Sequence, residues 1–248
     1  MDVHKTKTPD YRTSHANTKT VETYVRAYEK GYFAAQWEFI ERPLLYSIIN
    51  SLPPPPQSCL DFACGTGRVS AALASVIPSV TGVDVSAKML SEARVPENVI
   101  LLEKDITRTH IGQKFDLCTA FRFFLNAQQE LRLDALKAIR GHLNDGGFFI
   151  ANIHMSSSSP MGFIYDRIKQ VKGKVVHKTM SEKEFVNLLE ENGFSVEYVY
   201  HYGYLPKPGR YFSGFAQRMV TPFEKICKAV RVPEKLTQNF CVLAIARS

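Results

Sequence analysis

The chain has 248 residues, of which 45% are apolar and 22% charged, with a formal charge of +7. That length allows one large domain, or one domain with a cap, around a sizeable core, and the charge level excludes wholesale disorder. No apolar run approaches the roughly 18–20 residues that span a bilayer.

Residues 1–20 are polar and mildly basic, without the apolar block of a secretory signal. They read as a flexible N-terminal tail, or as a segment that orders when ligand binds. From Val21 to Asn50 apolar residues recur at helical spacing. Gly31 predicts a break into two helices, and Pro43 sits awkwardly in the second. Residues 21–52 thus form an N-terminal helical segment, a lid. The stiff run Pro53–Pro56 separates it from a domain at 57–248.

In that domain short apolar runs alternate with helical stretches. Strands are predicted at 58–62, 80–85, 99–102, 115–121 and 148–153, with helices at 68–76, 87–94 and 128–143. Strict alternation implies an α/β, doubly wound fold, its parallel sheet covered on both faces. Ser181 and Glu184 predict a capping box for a helix ending at Gly193. Strands at 194–200 and 240–246 close the chain. Insertions at 154–180 and 201–238 fall outside the alternation and read as a small cap. In the second, Thr221 and Pro222 predict the start of a short helix through Val230.

Five cysteines, Cys59, Cys64, Cys118, Cys227 and Cys241, are widely spaced. No CxxC pair or Cys/His cluster suggests a metal site, and a reduced, cytoplasmic compartment fits them best.

The turn Asp61-Phe-Ala-Cys-Gly-Thr-Gly67 lies between the first strand and the first helix. Gly65 and Gly67 let the backbone turn tightly and approach a ligand. The helix N-terminus behind them suits a carboxylate or phosphate. A structural turn without ligand is the competing reading. Asp84 ends the second strand, about 20 residues on, where an acid accepts hydrogen bonds from ribose hydroxyls. Capping the following helix is its other reading, although Ser86 fills that role better. Asp105 and Ile106 follow the third strand, where a carboxylate could accept from an adenine amino group and Ile106 pack on the ring.

With these features in place, the sequence resembles the class I S-adenosylmethionine-dependent methyltransferases. Asp61 to Gly67 resembles that family's first motif, and Gly82-Val-Asp84-Val-Ser86 with Met89-Leu90 its second. Phe115-Asp116-Leu117 resembles the fourth, and Leu143-Asn-Asp-Gly-Gly-Phe148 the step into the fifth strand. The likeness covers Ser58 to Ile153 and runs on more weakly to the final strand. Ala63 stands where the family more often has glycine, which fits if its φ is negative. The absence of a third glycine after Gly67 argues against a nicotinamide dinucleotide.

The resemblance implies a Rossmann-like seven-stranded sheet with the last strand antiparallel, and S-adenosyl-L-methionine as cofactor. The cofactor-binding set it implies is Asp61, Ala63, Cys64, Gly65 and Gly67 in the turn. Asp84, Val85 and Met89 belong to the second motif, and Asp105 and Ile106 to the adenine. Phe121 and Arg122 would flank the methionine part, with Tyr28 and Arg42 closing over it. The implied activity is methyl transfer to a hydroxyl or amine of a small molecule, such as a sugar, a phenol or a natural-product scaffold.

Transfer from a sulfonium is an in-line displacement, so alignment and exclusion of water matter most. A hydroxyl acceptor benefits from a base, and His154 after the fifth strand is the candidate. Asn152 could orient a polar acceptor. His142 has no assigned role. An acceptor wall could use His201-Tyr-Gly-Tyr204, Arg210-Tyr-Phe212, Phe215, Tyr24, Tyr32 and Trp37, with core packing as the competing reading.

From Lys207 to Arg247 eight Lys/Arg stand against two Glu. Attraction to an anionic partner and a solvated helical face both explain that balance. Nucleic-acid or protein methylation is therefore an alternative. Against nucleic acid, Phe121-Arg-Phe-Phe-Leu-Asn126 lacks the Asn/Asp-Pro-Pro-aromatic motif that holds an extruded base. A non-catalytic cofactor-binding protein is the remaining alternative.

Overall fold

The computed structural model describes residues 11–13, 18–171, 179–206 and 213–247. The N-terminal apolar pattern forms α1 (Thr18–Glu29), α2 (Tyr32–Gln36) and α3 (Arg42–Asn50). Gly31 breaks the run with a φ of 98°. Trp37–Glu41 is a π-helical stretch that joins α2 to α3. It accounts for Pro43, which sits in the first turn of α3. A proline ring presses on the carbonyl four residues back, and the wider π turn opens that spacing.

Seven strands follow: β1 (Ser58–Phe62), β2 (Ser79–Asp84), β3 (Val99–Glu103), β4 (Phe115–Ala120), β5 (Leu143–His154), β6 (Phe194–Tyr202) and β7 (Asn239–Ala246). They form one sheet in the order β3-β2-β1-β4-β5-β7-β6. β7 runs antiparallel to both neighbours, while β1 to β5 pair in parallel. This is the expected Rossmann-like sheet. The connecting helices are α4 (Arg68–Leu73), α5 (Ala87–Ser91), α6 (Gln129–His142), α7 (Pro160–Val171), α8 (Glu182–Glu191) and α9 (Ser213–Ala229).

Two apolar layers cover the sheet. Leu60 and Phe62 of β1 face α6 and α8 through Leu136, Ile139, Phe185 and Leu189. Cys59, just before Leu60 in sequence, faces the other layer with Leu45, Ile48, Leu73 and Val220. That alternation is the period-two pattern of a strand buried on both faces. The capping box of α8 forms with both reciprocal bonds, and Gly193 takes a φ of 86° just beyond the helix.

One expectation needs correction. The second insertion was expected to start a helix at Pro222, but α9 begins nine residues earlier with Pro222 inside it. Ala216, Val220, Glu224 and Cys227 are buried along one face of α9, while Pro222 is exposed. Burial of that stripe outweighs the bond lost at proline. Within the stretch expected to be a flexible tail, or a segment that orders when ligand binds, Tyr11–Thr13 forms a 3-10 turn packed on the domain. Residues 1–10 and 14–17 lie outside the described residues, as do Arg210, Tyr211 and Phe212.

Candidate functional site

Strand order reverses between β1 and β4, so the connections there leave toward opposite faces. A crevice therefore opens beyond the carboxyl ends of the strands. A cleft of about 420 Å³ occupies that place, within the size range of small-molecule sites.

The glycine-rich turn shapes one wall. Gly65 and Gly67 take φ values of 59° and 72°. A Cβ on Gly67 would come within 2.6 Å of the Val95 side chain, so this position needs glycine twice over. Asp84 braces the turn from β2. Its Oδ2 accepts from the Gly65 N–H at 2.8 Å and its Oδ1 from the Ser86 N–H at 2.8 Å. Ser86, not Asp84, caps α5 by accepting from the Met89 N–H.

Asp61 lies beneath the turn, 1% exposed. It accepts from the Ser70 hydroxyl at 2.6 Å and the Thr119 hydroxyl at 2.8 Å. Burial pushes its pKa up to about 6, and those two hydroxyls oppose the shift. Asp61 thereby ties β1, α4 and β4 together, and it does not line the cleft. Cys64 and Gly67 are also behind the cleft surface.

Ala63 corrects the expectation of a negative φ, since it takes +55°. A left-handed conformation costs a non-glycine residue roughly 1–2 kcal/mol, partly offset by the greater unfolded-state freedom of glycine. Ala63→Gly is therefore expected to stabilise the chain by about 0.5–1 kcal/mol. Urea denaturation checks this, and a lowered midpoint would refute it.

Eleven of the expected site residues meet in this one cleft: Tyr28, Ala63, Gly65, Asp84, Val85, Met89, Asp105, Ile106, Phe121, Arg122 and His154. Arg42 does not. It pairs with Glu38 one helical turn back and is not part of the cleft lining.

Arg122 takes the buried cationic position instead, in a left-handed conformation with φ 62°. Its N–H donates to Asn152 Oδ1 at 2.7 Å, and its Nη2 donates to Glu41 Oε1 at 3.1 Å. Tyr202 donates to the same Glu41 oxygen at 3.0 Å, and Asn152 Nδ2 donates to Tyr202 at 3.1 Å. The four residues close a buried circuit. Burial works against the charge of Arg122, but Tyr28 and Glu41 outweigh it and carry its pKa upward. Asn152, wholly buried, is thus a brace for Arg122 and not an acceptor contact.

Aromatic faces supply the rest of the cation environment. Arg122 lies over Phe33 at 5.1 Å and near Tyr28 at 5.8 Å. Arg68 lies between Tyr28 and Trp37, at 4.2 and 4.0 Å. Among the described residues, buried Arg122 Nε and Arg68 Nε and Nη1 have no hydrogen-bond partner.

Of the expected acceptor aromatics, Tyr24 lines the cleft. Tyr202 belongs to the circuit, Tyr204 donates to the Val232 carbonyl, and Tyr32 donates to the Leu205 carbonyl. His201 pairs with Glu182 at 3.2 Å, and Phe215 is exposed on α9. His142 is buried behind the sheet. It is bonded to the Ala138 carbonyl and the Ile111 N–H, and burial lowers its pKa. Sequence reasoning missed Tyr11, Arg12, Phe33, Phe123 and Asn126, which also line the cleft. An isolated Tyr-Arg pair in a polar stretch carries no periodic signal.

Residues 59–147 match a family model described as a methyltransferase domain. The cypemycin N-terminal methyltransferase of a Streptomyces species is 36% identical over 100 residues, 38% of this chain and 41% of that protein. The chain thus matches less than half the length of this relative. The magnesium protoporphyrin IX methyltransferase of Synechocystis, solved with bound S-adenosylhomocysteine, superposes with a TM-score of 0.65. It is 16% identical, and the match covers 96% of this chain and all of that one. The N-methyltransferase NodS of Bradyrhizobium japonicum superposes at 0.55, with 14% identity, over 84% of this chain and 95% of its own. No described helix is long and apolar enough to cross a membrane. Residues 59–147 thus match a methyltransferase domain, and the seven-stranded sheet with its antiparallel last strand belongs to a fold shared with solved S-adenosylmethionine-dependent methyltransferases.

Proposed function

We propose that the cleft binds S-adenosyl-L-methionine and that the chain transfers its methyl group to a hydroxyl or amine of a small molecule. The observation that carries this reading is the convergence of Asp84, Asp105 and Arg122, from the ends of β2, β3 and β4, on one cleft. The residues present fit the cofactor. The unpartnered Nε–H of Arg122 suits a carboxylate. Asp84 suits a ribose, and Ile106 an adenine face. Once bound, the cofactor supplies an activated methyl on a sulfonium.

The chain's own part is alignment and exclusion of water. Tyr24, Tyr28 and Phe33 form an aromatic wall, with hydroxyl ends on the two tyrosines. His154 takes the proton of a hydroxyl acceptor; a neutral amine needs no base. The five cysteines, all free and buried, support a reducing, cytoplasmic compartment.

A second reading, a peptide N-terminal amine as acceptor, is favoured by the name of the Streptomyces relative. Calorimetry with S-adenosylmethionine is expected to show binding, and no heat at millimolar concentration would end the cofactor assignment. A panel of phenols, sugars, amines and peptides with free N-termini, read by mass spectrometry, then separates the acceptors. Binding without transfer to any of them would favour a non-catalytic module.

A further inference from the structure

Tyr11–Thr13 is one short turn, yet it touches both banks of the cleft mouth. On the β3 bank, Arg12 Nε donates to Asp105 Oδ2 at 2.9 Å, and its Nη2 donates to the Thr107 hydroxyl at 2.7 Å. On the β4 bank, the Tyr11 N–H donates to Gln128 Oε1 at 3.1 Å. The Tyr11 ring meets Phe123 edge-on with centroids 5.9 Å apart. Arg12 Nη2 also lies 3.5 Å from Asp134 of α6.

Tyr11 and Arg12 line the cleft, which keeps its volume of about 420 Å³ with the turn in place. The turn is therefore a roof over the cavity and not a plug within it. Asp105 is engaged from both sides: Oδ1 accepts from the Thr107 N–H and hydroxyl, and Oδ2 accepts from Arg12. With side chains 17% and 21% exposed, the Arg12–Asp105 pair is shielded more than a surface ion pair, yet within reach of water.

We propose that Tyr11–Thr13 is a strap across the adenine end of the cleft, latched by Arg12 on Asp105, and that it gates entry and release of the cofactor. The proposal rests on the cofactor reading above. A gate alters both rates, because the same opening precedes binding and release, and it leaves their ratio nearly constant. A ligand contact alters the release rate and the affinity together.

Trp37, the single tryptophan, packs edge-on against Phe121 of the cleft wall with centroids 6.2 Å apart. Its fluorescence can follow S-adenosylhomocysteine by stopped flow. Arg12→Ala is expected to raise both association and dissociation rates about tenfold, with Kd changing less than about threefold. Arg12→Lys should fall between. Raising salt to about 0.5 M should speed both rates in the unaltered chain and not in Arg12→Ala. Unchanged rates, or a faster release with proportionally weaker affinity, would overturn the gate.

Failure of the cofactor reading is visible separately, as no binding to the unaltered chain. The strap is then read by hydrogen exchange. Arg12→Ala should speed exchange of the Tyr11 amide about tenfold, and unchanged exchange would overturn the latch itself.

Discussion

Glu41→Ala is expected to lower the unfolding free energy by about 3–5 kcal/mol, the usual cost of stranding a buried charge. Glu41 is 2% exposed and accepts from both Arg122 and Tyr202. Removing it leaves a buried guanidinium with its remaining support in aromatic faces and removes the acceptor of a buried phenol. Arg122 also lines the cleft, so the folded fraction should bind cofactor more weakly. Glu41→Gln keeps an acceptor oxygen but not the charge, and should lie between. Urea unfolding measures both variants. A loss below about 1 kcal/mol for Glu41→Ala would show that the circuit is not a structural necessity.

His154→Ala is expected to reduce turnover roughly 100-fold with a hydroxyl acceptor, while cofactor affinity changes little. His154 ends β5, paired in register with Asn239 of β7, and lines the cleft. Met155 next to it turns the chain sharply with a φ of 63°. Near-normal turnover would remove His154 from the chemistry. With an amine acceptor the loss should be much smaller, because a neutral amine gives up its proton after transfer.

The parts of the site that were readable in the sequence are local ones. The turn at Asp61–Gly67 announces itself because glycine tolerates φ values that side chains resist. Asp84 was readable because it follows that turn by one strand-helix-strand repeat. Its hydrogen bond to Gly65 was not, and that bond makes it a brace for the turn as well as a ligand candidate. Ala63 shows the opposite case: its identity suggested an ordinary φ, and the geometry of the turn imposes a left-handed one.

Arg42 and Arg122 show how far local reading extends. Arg42 lies within the second predicted helix and Arg122 after the predicted fourth strand, and both were expected at the cofactor. Glu38, four residues before Arg42 on the same helical face, captures it outside the cleft. Arg122 is drawn inward by Glu41, 81 residues away, and Asn152, 30 residues away.

By itself the sequence determined the alternation of strand and helix, hence the doubly wound sheet, and the glycine turn with its acids at successive strand ends. Those features follow from periodicity and backbone freedom, which act between neighbours. Tertiary structure alone decided that Arg122 and not Arg42 lines the cleft, that α9 runs through Pro222, and that Tyr11–Thr13 packs at the cleft mouth. Each depends on a buried group finding its partner from a distant segment. Burial makes that partner obligatory, and sequence separation carries no trace of it.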